Sequence, residues 1–307
     1  MRLFSSGNAD LLNSACRETS INCGVNKMKL WIGLFLIVSG LIFLTTTKSQ
    51  RRQASDLSAN EEVPATAATR NPGSAPVIVE LFTSEGCSSC PPADEVLAKL
   101  DRTQPVQGVE IIALGEHVDY WNKLGWIDPF SSAEFSARQS GYADAFRRDG
   151  VYTPQMIVDG RDEFAGGNMS RARDAIARAA QSPKAKIQLV ASQGSNKNEV
   201  KLSIQVRDLP RVAVGDTADV LLAVTENNLR SEVPRGENAG RSLRHSAVTR
   251  QLTVLGTISA DQGGFEAQPV ATVASGWSKD NLRAVVFVQE RASRRVLGAA
   301  SISLSEK

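Results

Sequence analysis

From residue 77 to residue 180 the hydrophobic positions change period several times. Residues 77–82 and 109–114 are short, nearly unbroken apolar runs, the length of a strand and too short for a helix. Between them Pro91 and Pro92 suit a first helical turn, where a missing N–H costs nothing, and Asp94 and Glu95 suit its positive end. Val96, Leu97 and Leu100 give that helix an apolar stripe. Residues 132–146 carry the signs of a second helix: Ser132 at the N-cap, Glu134 in the first turn, and Phe135, Tyr142 and Phe146 along it. In residues 151–160 a proline opens an apolar strand and Asp159-Gly160 ends it in a tight turn. Phe164-Ala165-Gly166 begins its hairpin partner, and residues 170–180 predict an amphipathic helix capped by Ser170. The predicted order is strand, helix, strand, helix, strand, strand, helix, with a right-handed parallel crossover between the first two strands.

After residue 185 the helical signals stop. Residues 186–190, 199–206, 218–224, 247–255, 281–288 and 296–304 alternate or run apolar between polar turns, which predicts an antiparallel sandwich. Residues 227–250 form a long irregular stretch holding Arg235, Gly236, Glu237, Arg241 and His245. It reads either as an ordered surface hairpin or as a flap over the first domain that shapes the groove around Cys87, and its arginines are a candidate grip for a carboxylate.

Upstream, residues 30–44 are apolar and uncharged, with Lys27 and Lys29 before them and Lys48, Arg51 and Arg52 after. A basic start and such a run predict an export signal over 28–47. No small-x-small site closes it clearly, so an uncleaved inner-membrane anchor is an equal reading. Met28 is a candidate true start, which leaves 1–27 as an over-extended frame or a tail. Residues 48–76 are polar and lack apolar periodicity, as a disordered linker would. The expected order is therefore signal or anchor, linker, a first folded domain over 77–184 and a second over 185–307. The folded part would be periplasmic, or anchored facing outward.

Composition changes this picture little. A chain of 307 residues accommodates two domains, and a net charge of +2 gives no reason to expect a nucleic acid. Four cysteines are too few for a disulfide scaffold, and two of them precede the apolar run. Cys87 and Cys90 carry the candidate chemistry. Only a thiolate is a nucleophile, and a helix N-terminus lowers a thiol's pKa below its usual value of about 8.5. The spacing lets Cys90 resolve a mixed disulfide formed at Cys87. A static bridge and half of a metal site remain open, because a lone C-x-x-C is weak. In an oxidising compartment such a disulfide persists.

In this context Cys87-Ser88-Ser89-Cys90-Pro91 resembles the thioredoxin active-site turn, and Thr153-Pro154 resembles the cis-proline loop that faces it. Glu80-Leu81-Phe82-Thr83-Ser84 through Pro92, His117-Val118-Asp119-Tyr120-Trp121 and Tyr152-Thr153-Pro154-Gln155 together resemble an exported bacterial thioredoxin-like family catalogued as a domain of unknown function. The similarity runs from about residue 77 to the C-terminus. It implies an α/β thioredoxin-like domain followed by an all-β sandwich-like domain, and no established activity. It also implies that Thr153 and Pro154 align a partner's backbone, and that Glu80 accepts the resolving thiol's proton. Glu80 lies seven positions before Cys87, one more than is usual, and an edge-facing carboxylate is the competing reading.

His117 has three readings: a third ligand with the cysteines for copper, a substrate-side acid or base, or a structural imidazole bonded near Asp119. Trp121 and Tyr152 are candidate substrate contacts, and Trp121 and Trp126 groove walls or core. Arg138 and Arg147 read as solvated helix charges. The expected function is thiol–disulfide exchange with extracytoplasmic proteins or small thiols, without a cofactor. The alternative is a non-catalytic envelope binding protein with a static disulfide or a Cys/Cys/His copper site. No phosphate loop, Ser-His-Asp order or paired-acid hydrolase site is apparent.

Overall fold

The computed structural model of the chain describes residues 66–67, 74–259 and 262–305, all within one compact unit, Asn60–Lys307. The 1–27 segment, the 28–47 signal or anchor and most of the 48–76 linker lie outside the described residues. Among the described residues no helix is long and apolar enough to cross a membrane.

The described residues begin with β1 (Thr66–Ala67), inside the stretch read as linker, and continue with β2 (Ala75–Thr83), α1 (Pro91–Thr103) and β3 (Val109–His117). Then come α2 (Ala133–Ala145), β4 (Gln155–Val158), β5 (Asp162–Ala165) and α3 (Met169–Ala179). Ser132 caps α2 as expected, its side chain accepting from the Glu134 N–H. The cap of α3 is Asn168, which accepts from the Arg171 N–H; Ser170 falls inside the first turn. Strands β6 (Lys186–Gln193), β7 (Glu199–Arg207) and β8 (Ala218–Glu226) follow. A ribbon of β9 (Leu229–Val233) and β10 (Arg241–His245) leads into β11 (Val248–Ile258). The last strands are β12 (Phe265–Ala267), β13 (Val270–Thr272), β14 (Leu282–Glu290) and β15 (Val296–Ser303).

The α/β thioredoxin-like domain followed by a sandwich is not what forms. Of the described residues 43% lie in strands against 19% in helices, and strands from both halves share one mixed sheet of eight. Its order is β15-β14-β8-β11-β3-β2-β4-β5. The join is β11 against β3: Val248 runs parallel beside Gly115, whose N–H donates to the Ala247 carbonyl at 2.7 Å. The sign of this was present in β8 and β14. Both are buried along almost their whole length, as strands covered on two faces are, whereas β6 and β7 alternate.

One face of this sheet carries α1 and α3 over Val77, Val79 and Leu81. Further along the same face the five-stranded sheet β1-β6-β7-β12, with β13 on β7, packs on Val220, Leu222, Val286 and Val288. The opposite face carries α2, whose Phe135 packs with Ile78, Ile112, Leu114 and Phe287. Side chains alternate between the two faces along each strand, and this alternation decides which polar groups reach the cysteines.

Candidate functional site

Residues 84–90 turn the chain from the end of β2 into α1. The Cys87 N–H donates to the Ser84 carbonyl and the Cys90 N–H to the Cys87 carbonyl. Cys90 is the N-cap residue of α1, and its carbonyl accepts from Ala93 and Asp94. The two cysteines are joined as a disulfide, with Cα atoms 5.4 Å apart. Both are 0% exposed, while Ser88 and Ser89 between them face solvent.

The tip of the β9–β10 ribbon covers this turn. The Asn238 side-chain amide donates to the Glu85 carbonyl at 2.8 Å and to the Cys87 carbonyl at 3.0 Å. Arg241 donates to the Asn238 side-chain oxygen and orients it. The Ser88 N–H donates to Glu237 Oε2 at 3.0 Å. Gly236, at φ +82°, packs on Trp126, where an added Cβ would lie 3.3 Å from the Trp126 Cβ. The stretch 227–250 is thus both an ordered hairpin and a flap over Cys87.

A buried polar cluster adjoins the turn on the α1 side of the sheet. Glu85 Oε1 lies 3.0 Å from His245 Nε2, and Glu85 Oε2 accepts from Trp126 Nε1 at 2.7 Å. Asp128 Oδ2 accepts the Glu85 N–H at 2.8 Å and lies 2.7 Å from His117 Nδ1. The two imidazole rings meet edge to face with centroids 4.8 Å apart, and Phe130 packs against both. Thr83 donates to Asp94 at 2.8 Å. Burial alone would push His117 down, but Asp128, Asp94 and Glu85 outweigh it and hold His117 above its ordinary 6.5. Burial would push Asp128 up, yet His117 and two backbone N–H groups hold it below 3.8. Asp94 is pushed up to about 6, mainly by desolvation.

The Thr153-Pro154 bond is cis. Trp121 Nε1 donates to Thr153 Oγ1 at 2.9 Å, and a Cβ on Gly86 would lie 3.0 Å from the Trp121 Cβ. Trp121 therefore spans from the cysteine turn to the cis-proline loop. A Cβ on Gly166 would meet Leu81, Ala93 and Pro154, so Pro154 borders the first turn of α1. The Tyr152 carbonyl is held by Gln139 at 2.7 Å, but its hydroxyl turns away to Glu163 at 2.6 Å.

Glu80 does not face the cysteines, contrary to its expected role as proton acceptor. Leu81 faces α1, so its neighbour Glu80 faces α2, on the other side of the sheet from the cysteine turn. There Arg138 Nε donates to Glu80 at 2.7 Å, the Tyr142 hydroxyl donates to the same carboxylate, and Glu116 lies 3.3 Å from Arg138. Gln289 of β14 donates to the Tyr142 oxygen at 2.7 Å. Glu80 is consequently not placed to take a proton from Cys90, and Arg138 is a buried ion-pair partner where a solvated charge was expected. Burial, with Glu80 adding to it, holds Glu116 well above the usual carboxylate range despite Arg138.

His117 is also placed differently from its copper and Asp119 readings. Its Nδ1 is taken by Asp128, and Asp119 instead accepts from Ser136. Among the described residues no group of three His, Cys, Asp or Glu side chains is arranged to hold a metal ion.

Residues 78–289 match a family described as "protein of unknown function (DUF1223)". The chain belongs to this family. This DUF1223 chain is also similar to a protein of Agrobacterium tumefaciens solved by X-ray crystallography: 30% identity, 75% of this chain and 95% of that one covered, and a TM-score of 0.55. HBP35 of Porphyromonas gingivalis shares the fold at 15% identity, with 76% and 79% of the two chains covered and a TM-score of 0.58. No curated protein matches the chain.

The amino-acid sequence shows no partners for four residues of this site: Glu85, Asp128, Asn238 and His245. Glu85, Asp128 and Asn238 sit in turns and loops with no periodicity to show their direction, and His245 ends the five-residue strand β10, too short for its alternation to stand out. Asn238 and His245 join a turn about 150 residues earlier in the chain, a separation no local pattern signals.

Proposed function

We propose that the protein exchanges thiols and disulfides through Cys87 and Cys90, with the β9–β10 ribbon as a cover that must lift first. What carries the reading is the placement of the disulfide at the N-terminus of α1, where backbone N–H groups favour a thiolate. A substrate thiolate attacks Cys87 Sγ, a mixed disulfide forms, and Cys90 leaves as a thiolate. A second substrate thiolate then attacks the substrate sulfur, closing the substrate disulfide and releasing the Cys87 thiolate. Two electrons pass from substrate to protein, and the reverse sequence oxidises the protein. Trp121 and the Thr153-Pro154 loop would form the wall that receives the partner. Export on the 28–47 segment, to a compartment where the disulfide persists, is part of the same reading.

Complete burial of both sulfurs favours a second reading, a static bridge in a binding module. Redox titration of the full chain separates the two. A midpoint above about −270 mV, with oxidative-refolding or insulin-reduction activity lost in Cys87→Ser, supports exchange. A midpoint below about −300 mV with silent cysteine variants supports the bridge.

A further inference from the structure

A cleft of about 610 Å³ separates α1 from the base of the β9–β10 ribbon, a volume typical of small-molecule sites. Its α1 wall presents Lys99 and Arg102, one turn apart on the same helix face. Its ribbon wall presents Arg230 and Arg244, which lie directly opposite each other across the two strands. Like charges in that position destabilise a strand pair, as do like charges one helical turn apart. Arg230 is paired with Glu232 at 2.8 Å, but the side chains of Lys99, Arg102 and Arg244 have no hydrogen-bonded or ionic partner among the described residues. The acids at the cleft, Asp94 and Glu95, are fewer than its cations, and Asp94 is already bonded to Thr83.

His245 lines the same cleft and is 5% exposed, and its Nε2 faces the Glu85 carboxylate. Its Nδ1 is buried without any hydrogen-bond partner. A neutral imidazole that donates from Nε2 to Glu85 leaves Nδ1 an acceptor, so His245 closes the inner end of the cleft and the four cations carry its charge.

We propose that this cleft binds a small multivalent oxyanion, a compound carrying two or more carboxylate or phosphate groups, held between Lys99 and Arg102 on one side and Arg230 and Arg244 on the other. Arginine forks suit either group in bidentate geometry. The cations come from two separate elements across a concave gap, which suits a compact ligand better than an extended polymer. The site does not depend on whether the disulfide cycles.

The test is calorimetric titration of the full chain with pyrophosphate and with citrate, at ionic strength held constant with sodium chloride. The expected result is saturable one-to-one binding of at least one probe, weakened at least tenfold in Arg102→Ala/Arg244→Ala and unchanged in Arg207→Ala. Which probe binds more tightly assigns phosphate or carboxylate. All three of Arg102, Arg244 and Lys99 are exposed, and Lys99→Gln carries the same test should the double variant fail to fold. Absence of saturable binding, binding of heparin alone, or binding unaffected by these substitutions would overturn the proposal.

Discussion

β2 and β3 carry buried polar groups on both sides of one sheet, and the two sides use them differently. On the α2 side a single guanidinium, Arg138, lies against Glu80 and Glu116, with Tyr142 and Gln289 tying α2 to β14. On the α1 side two imidazoles and three carboxylates meet beside the cysteine turn, under a ribbon from the other half of the chain. The first cluster holds layers together. The second contains Asp94, pushed up to about 6, and it touches both the disulfide turn and an open cleft. The difference teaches that a buried acid on the strand leading to a C-x-x-C turn serves the cysteines only if it points to their face.

The largest expected effect falls on the α2 side. Arg138→Met leaves the buried Glu80 without its ion-pair partner and should cost about 3–5 kcal/mol in urea unfolding. Reduction kinetics of the disulfide in the still-folded fraction should stay unchanged. A loss below about 1 kcal/mol would mean that this cluster is not the fastening described above.

On the α1 side, Asp94→Asn should stabilise the protein. The rise from 3.8 to about 6 corresponds to an upper limit of about 3 kcal/mol between the two protonation states. Because the folded-state value is the higher one, the folded protein binds the proton more tightly. The penalty is full above about pH 6, shrinks as pH falls, and is gone below 3.8. Thermal melts from pH 8 to pH 4 should show the variant's advantage closing over that window. An advantage that does not change with pH would place its origin elsewhere.

Asn238→Ala removes two hydrogen bonds that hold the ribbon tip on the cysteine turn. It should cost about 1–2 kcal/mol locally and speed reduction by a small thiol about tenfold, read by mass spectrometry after alkylation. An unchanged rate would show that opening does not limit access. The smallest effect is expected for Glu116→Gln. Glu116 is held well above the usual carboxylate range, so an uncharged isostere should shift stability by less than about 1 kcal/mol at pH 7. A loss approaching that of Arg138→Met would show that Glu116 is ionised.

Much of the fold was legible locally. Periodicity, caps and turn residues anticipated α1, α2 and most strands, because these are set by neighbours three or four positions apart. The cysteine turn and the cis Thr153-Pro154 bond were likewise visible as short motifs. The merging of two expected domains into one sheet was not, since it rests on a single parallel contact between Val248 and Gly115. His117 was visible as a candidate, but Asp128 rather than Asp119 became its partner only once the loop after β3 had folded back.

The order of residues by itself determined the kind and sequence of most elements, that two cysteines stand at a helix start, and that a stretch with arginines and a histidine lies far downstream. The tertiary structure alone decided that Glu80 points away from those cysteines, that Asn238 and His245 arrive beside them, and that four cations face one another across a cleft. The reason is physical. Local preferences act over a turn or a strand pair, whereas facing direction and long-range pairing depend on which surfaces must be buried against which.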